Sequence, residues 1–259
     1  WAHVRLNVLQ YKAMQRGYKT VAPPDQMLSE DDFMLLQAYM DSEDIEESLN
    51  KVWETAPYKK MTPHEAFVHI LNHEHCSAIV KPTADMSDIL IAHNSWDTYA
   101  NMLRVIKSYR LYLSNVATSS VMFSGYFGWL ISGDDLYVTD ESKLVILETS
   151  NPIFNDTMYK MLTPECVLSW QRNIVANRLA HNGKEWADIF SISQSGTYSN
   201  QWMILDLKVF LSGASPSIKP DTFWVVEFAP GFYTAKDQSD VLKTGWWPSY
   251  NRPFNPTLY

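Results

Sequence analysis

The sequence predicts an α+β protein built in layers. Apolar residues recur at helical spacing over residues 29–71, and from residue 76 onward they come in short runs separated by turn residues. Helical spacing returns over residues 164–180, and further short apolar runs follow it. Helices before, between and after closely spaced strands indicate antiparallel sheets that pack against helices.

Residues 1–75 are predicted to be a helical N-terminal region. Residues 1–26 alternate apolar and polar side chains only loosely and end at a proline-rich break. Ser29, followed three residues later by Asp32, resembles a capping box, in which two side chains satisfy backbone N–H groups at a helix start. A first helix is therefore expected over about residues 29–41.

Two further helices are expected before the first strand. The acidic stretch over residues 41–44 is typical of a helix start, where negative charge is favourable. Thr62-Pro63 predicts another start, since proline is favoured at the first helical position. This third helix should end just before Cys76, where the strand-forming part of the chain begins.

A β-hairpin is expected directly after these helices. Residues 77–80 and 89–92 are two short apolar runs, and Thr83-Ala84-Asp85 between them is typical of a turn. Residues 97–112 return to helical spacing. The further strands expected are residues 120–127, 136–139, 144–149, 202–210 and 223–228, and the further helices are residues 164–180 and 184–192.

Cys76 stands at the start of the first hairpin strand, directly after a helix. A lone cysteine there is more often a small buried residue than a nucleophile. This setting favours the nucleophile, because an N-terminal nucleophile hydrolase needs its cysteine as the first residue of a strand. In that class the thiol attacks the preceding peptide carbonyl, and the α-amine released by cleavage becomes the general base for the thiol.

His93 and Trp96 lie at the end of the second hairpin strand, in the cluster His93-Asn94-Ser95-Trp96. Pairing of the two strands would bring this cluster within reach of Cys76. An imidazole there can tune the thiol or bind a substrate oxygen. A histidine at a strand end is otherwise an ordinary hydrogen-bonded surface residue, so spacing alone leaves both interpretations open.

Composition argues against several classes of protein. The 259 residues carry a formal net charge of −8 without a basic cluster, which argues against a nucleic-acid partner. No apolar run is long enough to predict a transmembrane segment. The two cysteines have no CxxC partner, and Cys166 fits an apolar helix face as a small buried residue. We expect neither a cofactor nor a metal ion.

A set of short motifs over roughly residues 62–254 resembles the phospholipase B-like family in order and approximate spacing. The motifs are Cys76-Ser77-Ala78-Ile79-Val80, His93-Asn94-Ser95-Trp96, Asn101-Met102-Leu103-Arg104-Val105-Ile106-Lys107-Ser108-Tyr109, Ser132-Gly133-Asp134-Asp135, Leu147-Glu148-Thr149, Asn173-Ile174-Val175-Ala176-Asn177-Arg178-Leu179, Ser195-Gly196-Thr197-Tyr198-Ser199-Asn200-Gln201-Trp202-Met203 and Trp247-Pro248-Ser249-Tyr250-Asn251. Residues 1–60 resemble the helical pro-region of that family.

The resemblance implies a four-layer αββα sandwich of the N-terminal nucleophile hydrolase type, with its core over residues 76–259. It implies self-cleavage between His75 and Cys76, hydrolysis of acyl-ester or amide bonds, and phospholipids as the substrate class. It also implies a lysosomal or secreted glycoprotein. Asn155, in the triplet Asn155-Asp156-Thr157, is then a candidate glycan site.

The site residues implied by the resemblance are spread along the chain. Cys76 would be both nucleophile and base, and His93 and Trp96 would line the site. Thr149 would contribute its hydroxyl, and Asn251 would offer an amide to the oxyanion. Without the resemblance, Thr149 is an ordinary strand residue and Asn251 an ordinary turn residue. The expected partners are a lipid or acyl-amide substrate and the remainder of the chain or a second proteolytic fragment.

The sequence departs from the family pattern in its extent and at one position. The family continues past the segment that matches Tyr259 and supplies a site arginine from that later part. The chain also begins at Trp1, with neither an initiator methionine nor a signal peptide, so we expect it to be incomplete at both ends. Ser199 stands where family members tend to carry a second asparagine beside Asn200.

Four alternative interpretations stay open. The protein could keep the hydrolase fold without turnover, as a structural or interaction protein. His69, His73 and His75 could group around zinc, although HExxH is absent and histidines four apart are frequent on helices without metal. Trp246-Trp247-Pro248 could face lipid, but core packing is the commoner role. Asp134-Asp135 could form an acid/base pair, but turn formation explains them.

Overall fold

The computed structural model describes residues 1–55, 60–72, 76–97 and 99–258. The α-helices among them are α1 Ala2–Val21, α2 Glu30–Leu49, α3 Val52–Thr55, α4 Pro63–Asn72, α5 Ser169–Leu179, α6 Gly183–Ser191, α7 Leu207–Leu211 and α8 Ser239–Leu242. The β-strands are β1 Cys76–Pro82, β2 Ile89–Ser95, β3 Val105–Arg110, β4 Ser120–Gly125, β5 Leu136–Thr139, β6 Leu144–Ser150, β7 Asn200–Asp206, β8 Phe223–Ala229, β9 Phe232–Asp237 and β10 Trp247–Ser249.

Seven strands form a large antiparallel sheet in the order β3-β4-β5-β6-β7-β8-β9. Its middle strands β6 and β7 are buried almost along their whole length, which is why they are continuous apolar runs in the sequence. One face packs against α5 and α6, where Trp186 and Phe190 meet Ile146 and Trp202. This face holds the first hydrophobic core.

Three strands form a small antiparallel sheet in the order β10-β1-β2, and it packs against the other face of the large sheet. Buried and exposed side chains alternate along β1, so Val80 points inward while Ser77 and Lys81 point outward. Val80 and Trp247 of the small sheet pack with Leu147 of the large one. The two sheets therefore enclose a second core.

The α+β class is confirmed by this arrangement of helices, a large sheet and a small sheet. The outward side chains Ser77, Lys81 and Leu90 of the small sheet are exposed. Among the described residues, three layers are therefore visible, namely helices, the large sheet and the small sheet, and the four-layer αββα sandwich stays a prediction. No helix in the described part of the chain is long and apolar enough to cross a lipid bilayer.

The N-terminal helices pack on α5. Ser29 and Asp32 form the expected capping box at the start of α2. The second helix expected at residues 41–44 is wrong, because α2 continues without a break to Leu49. Asp41 is buried, and its carboxylate accepts hydrogen bonds from the backbone N–H groups of Ser169 and Trp170, at 2.9 and 3.3 Å. Its charge thus caps α5 rather than α2.

Two other expected elements are wrong. Residues 97–112 do not form a helix: the structure has a short 3-10 helix, Tyr99–Met102, followed by β3. Exposure alternates along β3, as it does in an edge strand with one covered face. The strand expected over residues 202–210 ends at Asp206, whose side chain accepts two backbone N–H groups and so starts α7.

The elements missed by the sequence patterns include α1, β9, α8 and β10. The loosely alternating residues near the N-terminus form α1, a helix of 20 residues. The aromatic segment near residue 247 contains β10, which pairs antiparallel with β1. Trp247 is buried in the core between the sheets, as expected, whereas Trp246 is exposed. Cys166 is half-buried rather than fully buried.

Candidate active site

The predicted hairpin is present and positions Cys76 next to the end of β2. Cys76 pairs with Ser95, and Ala78 pairs with His93, in the antiparallel register of β1 and β2. Cys76 is the first residue of β1, and its side chain is buried, pointing towards the large sheet. The fold therefore brings together the two ends of the stretch that the sequence singled out.

Asn251 comes to Cys76 from the far end of the described chain. The backbone N–H of Cys76 donates to Asn251 Oδ1 at 3.2 Å, and Asn251 Nδ2 donates to the carbonyl of Ser150 at 2.7 Å. Asn251 follows β10 and has a φ of 61°, a left-handed conformation that asparagine adopts more readily than most residues. Its amide thus fixes the nitrogen that cleavage before Cys76 would turn into an α-amine.

His93 lies between the hairpin and the large sheet. Its Nε2 is 2.8 Å from the carbonyl oxygen of Glu148. Because a carbonyl only accepts hydrogen bonds, Nε2 carries the proton, and in the neutral ring Nδ1 is the acceptor. Burial lowers the pKa of His93, so the neutral ring is favoured at this position.

Two buried carboxyl groups, Asp135 and Glu148, lie beside Cys76, and we call them the carboxyl pair. Tyr198 donates its hydroxyl proton towards both, with 2.9 Å to Glu148 Oε1, and Asn200 donates to Glu148 Oε2. Burial raises the pKa of both carboxyl groups, and the negative charge of Asp135 raises that of Glu148 further. The pair therefore retains a proton at pH values where ordinary carboxyl groups have lost theirs.

Burial also raises the pKa of the Cys76 thiol well above its ordinary value, and the charges of Glu148 and Asp135 raise it further. A hydrogen bond from the backbone of Ser150 acts in the opposite direction but is a smaller influence. The thiol is consequently protonated at neutral pH. A nucleophilic role requires a base close enough to remove this proton at the moment of attack.

Thr149 is fully buried and connects the two sheets. Its Oγ1 lies 2.7 Å from Ser249 Oγ, which in turn donates to Gln201 Oε1 at 2.8 Å. The indole N–H of Trp247 donates to the same Gln201 oxygen at 3.0 Å. Thr149 thus holds β10, and with it the segment that carries Asn251, against the large sheet.

A cavity of roughly 380 Å³ opens at Cys76. Ser95 and Trp96 line it at the hairpin end. Six carboxyl side chains also line it, and we call them the acidic wall: Glu43, Asp44, Glu46, Glu47, Asp97 and Asp156. Among the described residues, no lysine, arginine or histidine lines this cavity.

Negative charge within the acidic wall raises the pKa of one of its own members. Burial and the neighbouring charge of Glu43 raise the pKa of Asp44 to about 7. Aromatic side chains, including Tyr39, Tyr126 and Tyr159, complete the lining. The cavity is therefore electronegative and partly aromatic, which disfavours an anionic group deep inside it.

Several site residues were missed by sequence reasoning. Glu148 had a detectable signal, since it is a charged residue inside a strand that is otherwise apolar. Asp134 and Asp135 point apart, as expected. Asp135 pairs instead with Glu148, which is farther away in the sequence. Asn151 and Ser199 line the cavity. Asn151 had no signal of its own, because loop residues of this type are common everywhere, and Ser199 was noted only as a departure from the family pattern.

Cys76, His93 and Glu148 also offer ligand atoms that lie within 4.8 Å of one another. A thiolate, an imidazole and a carboxylate are ordinary zinc ligands. Here the Glu148 carboxyl group already accepts from Tyr198 and Asn200, and a ring nitrogen of His93 is hydrogen-bonded to a carbonyl. These contacts compete with metal binding, so the grouping alone does not define a metal site.

Other expectations stay predictions. His73 and His75 lie outside the described residues, as does the side chain of His69, and with them the zinc alternative and the bond expected to be cleaved. Asn155 is exposed. Its use as a glycan site and the lysosomal or secreted location stay predictions, and so do the chemical roles of the site residues.

The fold and the site define a class: an α+β protein with a buried thiol at the first residue of a strand, fixed through its backbone nitrogen and opening to a cavity. The chain belongs to the phospholipase B family, because the model of that family, described as Phospholipase B, matches residues 1–259. This match confirms the resemblance that the motifs predicted.

Curated relatives agree with this family assignment. The chain is 39% identical over 266 residues to "Phospholipase B-like protein B" of Dictyostelium discoideum, covering 100% of this chain and 45% of that protein. It is 40% identical over 273 residues to "Putative phospholipase B-like 2" of Mus musculus, covering 100% of this chain and 43% of that protein.

Over a shorter stretch, the chain is 46% identical across 187 residues to "Phospholipase B-like 1" of Homo sapiens, covering 71% of this chain and 33% of that protein. The chain thus spans less than half the length of these relatives.

Proposed function

We propose that this chain forms part of a self-processing cysteine hydrolase with an αββα N-terminal nucleophile fold, acting on acyl ester or amide bonds of phospholipid-like substrates. The observation that supports it most is the hydrogen bond from the Cys76 backbone nitrogen to Asn251, beside a buried thiol at a cavity. Membership of the phospholipase B family is the second support.

Processing starts at the bond between His75 and Cys76. The Cys76 sulfur attacks the His75 carbonyl carbon as the thiol gives up its proton, the peptide C–N bond breaks, and that proton ends on the released nitrogen, so that the acyl group moves from nitrogen to sulfur. Water then hydrolyses the thioester. The products are a carboxylate on His75 and a free α-amine on Cys76, which Asn251 Oδ1 is placed to hold as its hydrogen-bond acceptor.

Turnover repeats this chemistry on a substrate. The neutral α-amine, with an ordinary pKa near 8, removes the thiol proton, and the sulfur forms a bond to the substrate carbonyl carbon. The resulting ammonium then protonates the leaving alkoxide or amine, and water cleaves the thioester with the same amine as base. Direct proton transfer suits a thiol whose raised pKa leaves little free thiolate.

Replacement of Cys76 tests the proposal in the full-length protein. Cys76→Ala should leave the chain uncut and inactive on acyl substrates, because it removes the only atom assigned as nucleophile. Cys76→Ser should be cut slowly. Intact mass under denaturing conditions detects fragments that meet at His75 and Cys76, and Cys166→Ser is the matched control, expected to be cut normally.

Normal cutting of Cys76→Ala would refute self-processing. Cleavage without turnover would instead favour the structural or interaction protein. In that case an electrophilic thiol probe would leave Cys76 unlabelled in the cleaved protein. If the protein is a hydrolase, the probe should label Cys76, and acyl substrates should reduce this labelling by competition.

A further inference from the structure

Two polar side chains in the cavity have no hydrogen-bond partner among the described residues. The side chain of Asn151 is unpaired at both Nδ2 and Oδ1, and that of Ser199 is unpaired at Oγ. The two residues are only 6% and 5% exposed. Buried polar groups are nearly always hydrogen-bonded, so this pair of unsatisfied side chains needs an explanation.

Asn151 and Ser199 are placed together and near the nucleophile. Asn151 directly follows Ser150, whose carbonyl accepts from Asn251. The backbone N–H of Asn151 donates to the carbonyl of Ser199 at 2.8 Å, which fixes the two residues side by side. Both line the cavity that also contains Cys76.

Asn251 makes an instructive contrast with Asn151. Both polar atoms of the Asn251 amide have protein partners, the Cys76 nitrogen and the Ser150 carbonyl. Neither polar atom of the Asn151 amide has one among the described residues. Asn251 Nδ2 has one further N–H beyond these contacts, whereas both polar atoms of the Asn151 amide remain available to a bound molecule.

We propose that Asn151 and Ser199 form a subsite for the amide group of the substrate, so that the hydrolase acts on N-acyl amides in preference to esters. Asn151 Nδ2 donates, and Asn151 Oδ1 accepts only from an N–H or O–H group. An amide at the scissile bond supplies both a carbonyl oxygen and an N–H, whereas an ester supplies acceptors alone. The Ser199 hydroxyl can donate or accept and therefore adapts to either partner.

The subsite would contribute more during the reaction than in the initial complex. As the carbonyl carbon becomes tetrahedral, negative charge grows on its oxygen, and a buried donor stabilises it. As the scissile nitrogen gains a proton from the Cys76 ammonium, its N–H becomes a stronger donor to an oxygen such as Asn151 Oδ1. An ester leaves that oxygen unsatisfied in a desolvated site. This inference rests on the proposed hydrolase and selects one of its two substrate types.

The test uses two substrates that differ in a single atom, N-(2-hydroxyethyl)dodecanamide and 2-hydroxyethyl dodecanoate, with the processed full-length protein. Asn151→Leu should lower kcat/KM for the amide at least tenfold more than for the ester, since removing a hydrogen-bonding side chain from the site penalises mainly the substrate that bonds to it. Ser199→Ala is a milder variant and should change the ratio in the same direction. Asn94→Leu, on the exposed outer face of β2, is the matched control and should leave the ratio unchanged.

A second readout needs no turnover. The amide should protect Cys76 from alkylation by iodoacetamide at lower concentration than the ester does, and Asn151→Leu should abolish this difference. The inference would be overturned if Asn151→Leu lowered kcat/KM equally for both substrates and left the protection unchanged. It would also be overturned if an ordered water were the only partner of Asn151 in a substrate-analogue complex. Turnover that persists in Cys76→Ala would instead overturn the proposed function, so the two failures are distinguishable.

Discussion

Glu148 of the carboxyl pair beside Cys76 and Glu46 of the acidic wall carry the same functional group in opposite surroundings. Glu148 is fully buried, and two side chains donate hydrogen bonds to it. Glu46 belongs to the acidic wall and is exposed on α2. The first retains a proton and holds neighbours in place, whereas the second contributes mainly its charge. Burial, not residue type, decides which of these a carboxyl group does.

The largest expected effect is a loss of stability, and it is tested by making the same substitution, glutamate to leucine, in each region. Glu148→Leu removes the acceptor of Tyr198 and Asn200 and leaves Asp135 without its partner, so it should cost about 3 kcal/mol or more of unfolding free energy. That is a fall of roughly 6–12 °C in Tm. Glu46→Leu should stay within about 0.5 kcal/mol. Thermal unfolding monitored by circular dichroism measures both.

Glu148→Gln is the control for this comparison, because it keeps an acceptor oxygen and the side-chain volume. It should be clearly milder than Glu148→Leu. Equal losses from Glu148→Leu and Glu46→Leu would show that the carboxyl pair does not hold its neighbours.

The second effect is a dependence of stability on pH. A carboxyl group whose native pKa is raised still holds its proton when the unfolded chain has released it, at pH values above about 4. Three such groups are Asp135, Glu148 and Asp44. Their contribution to the unfolding free energy falls as pH rises from about 4 through their native pKa values. The native pKa of Asp44 is about 7. Tm should therefore be higher at pH 5.0 than at pH 7.5. For the buried pair, each unit by which a native pKa is raised corresponds to roughly 1.4 kcal/mol of unfolding free energy.

His93 acts in the opposite direction, since its lowered pKa favours the folded state as pH rises. The double variant Asp135→Asn, Glu148→Gln therefore isolates the pair, because it leaves His93 unchanged. The fall in Tm between the two pH values should be smaller in this variant. An identical fall would assign the pH dependence to other groups.

The smallest effect concerns the acidic wall and is measured through Cys76. In a Cys166→Ser background, a cationic trimethylammonium methanethiosulfonate should modify Cys76 faster than an anionic sulfonate analogue, about tenfold at low ionic strength. The ratio should shrink towards one in high salt, because exposed charges are screened.

Neutralising one wall residue should reduce this ratio measurably. Glu46→Gln should lower it by about twofold, as expected for an exposed, screened charge whose interaction with the two reagents differs by about 0.4 kcal/mol. Asp188→Asn, an exposed acid on α6 that is paired with Lys184, is the matched control and should leave the ratio unchanged. A ratio that favours the anionic reagent would contradict an electronegative cavity.

Local patterns predicted the hairpin well, because both strands are short apolar runs bounded by turn residues. They failed where a residue serves a distant element. Asp41 looks like a helix start, yet it caps α5, which lies more than a hundred residues away. Likewise, β3 has apolar residues at positions that fit either period, and only pairing with β4 makes it a strand.

The residues of the candidate site also fall into those that local patterns could predict and those that they could not. Cys76, His93 and Trp96 lie on or next to one hairpin, so the sequence could place them together by strand pairing alone. Thr149 and Asn251 came only from the family resemblance, Ser199 only as a departure from the family pattern, and Asn151 from neither source. Asn251 reaches Cys76, and Asn151 and Ser199 reach the same cavity, through contacts between segments distant in sequence, and no periodicity within one segment encodes such contacts.

The contact between Cys76 and Asn251 spans 175 positions of the chain. During synthesis at about 5–20 residues per second, Asn251 leaves the ribosome roughly ten to thirty seconds after Cys76. Contacts of such long range are entropically costly and form late in folding. The proposed cut would therefore follow the docking of β10 onto β1, so that cleavage would occur only after this long-range contact has formed.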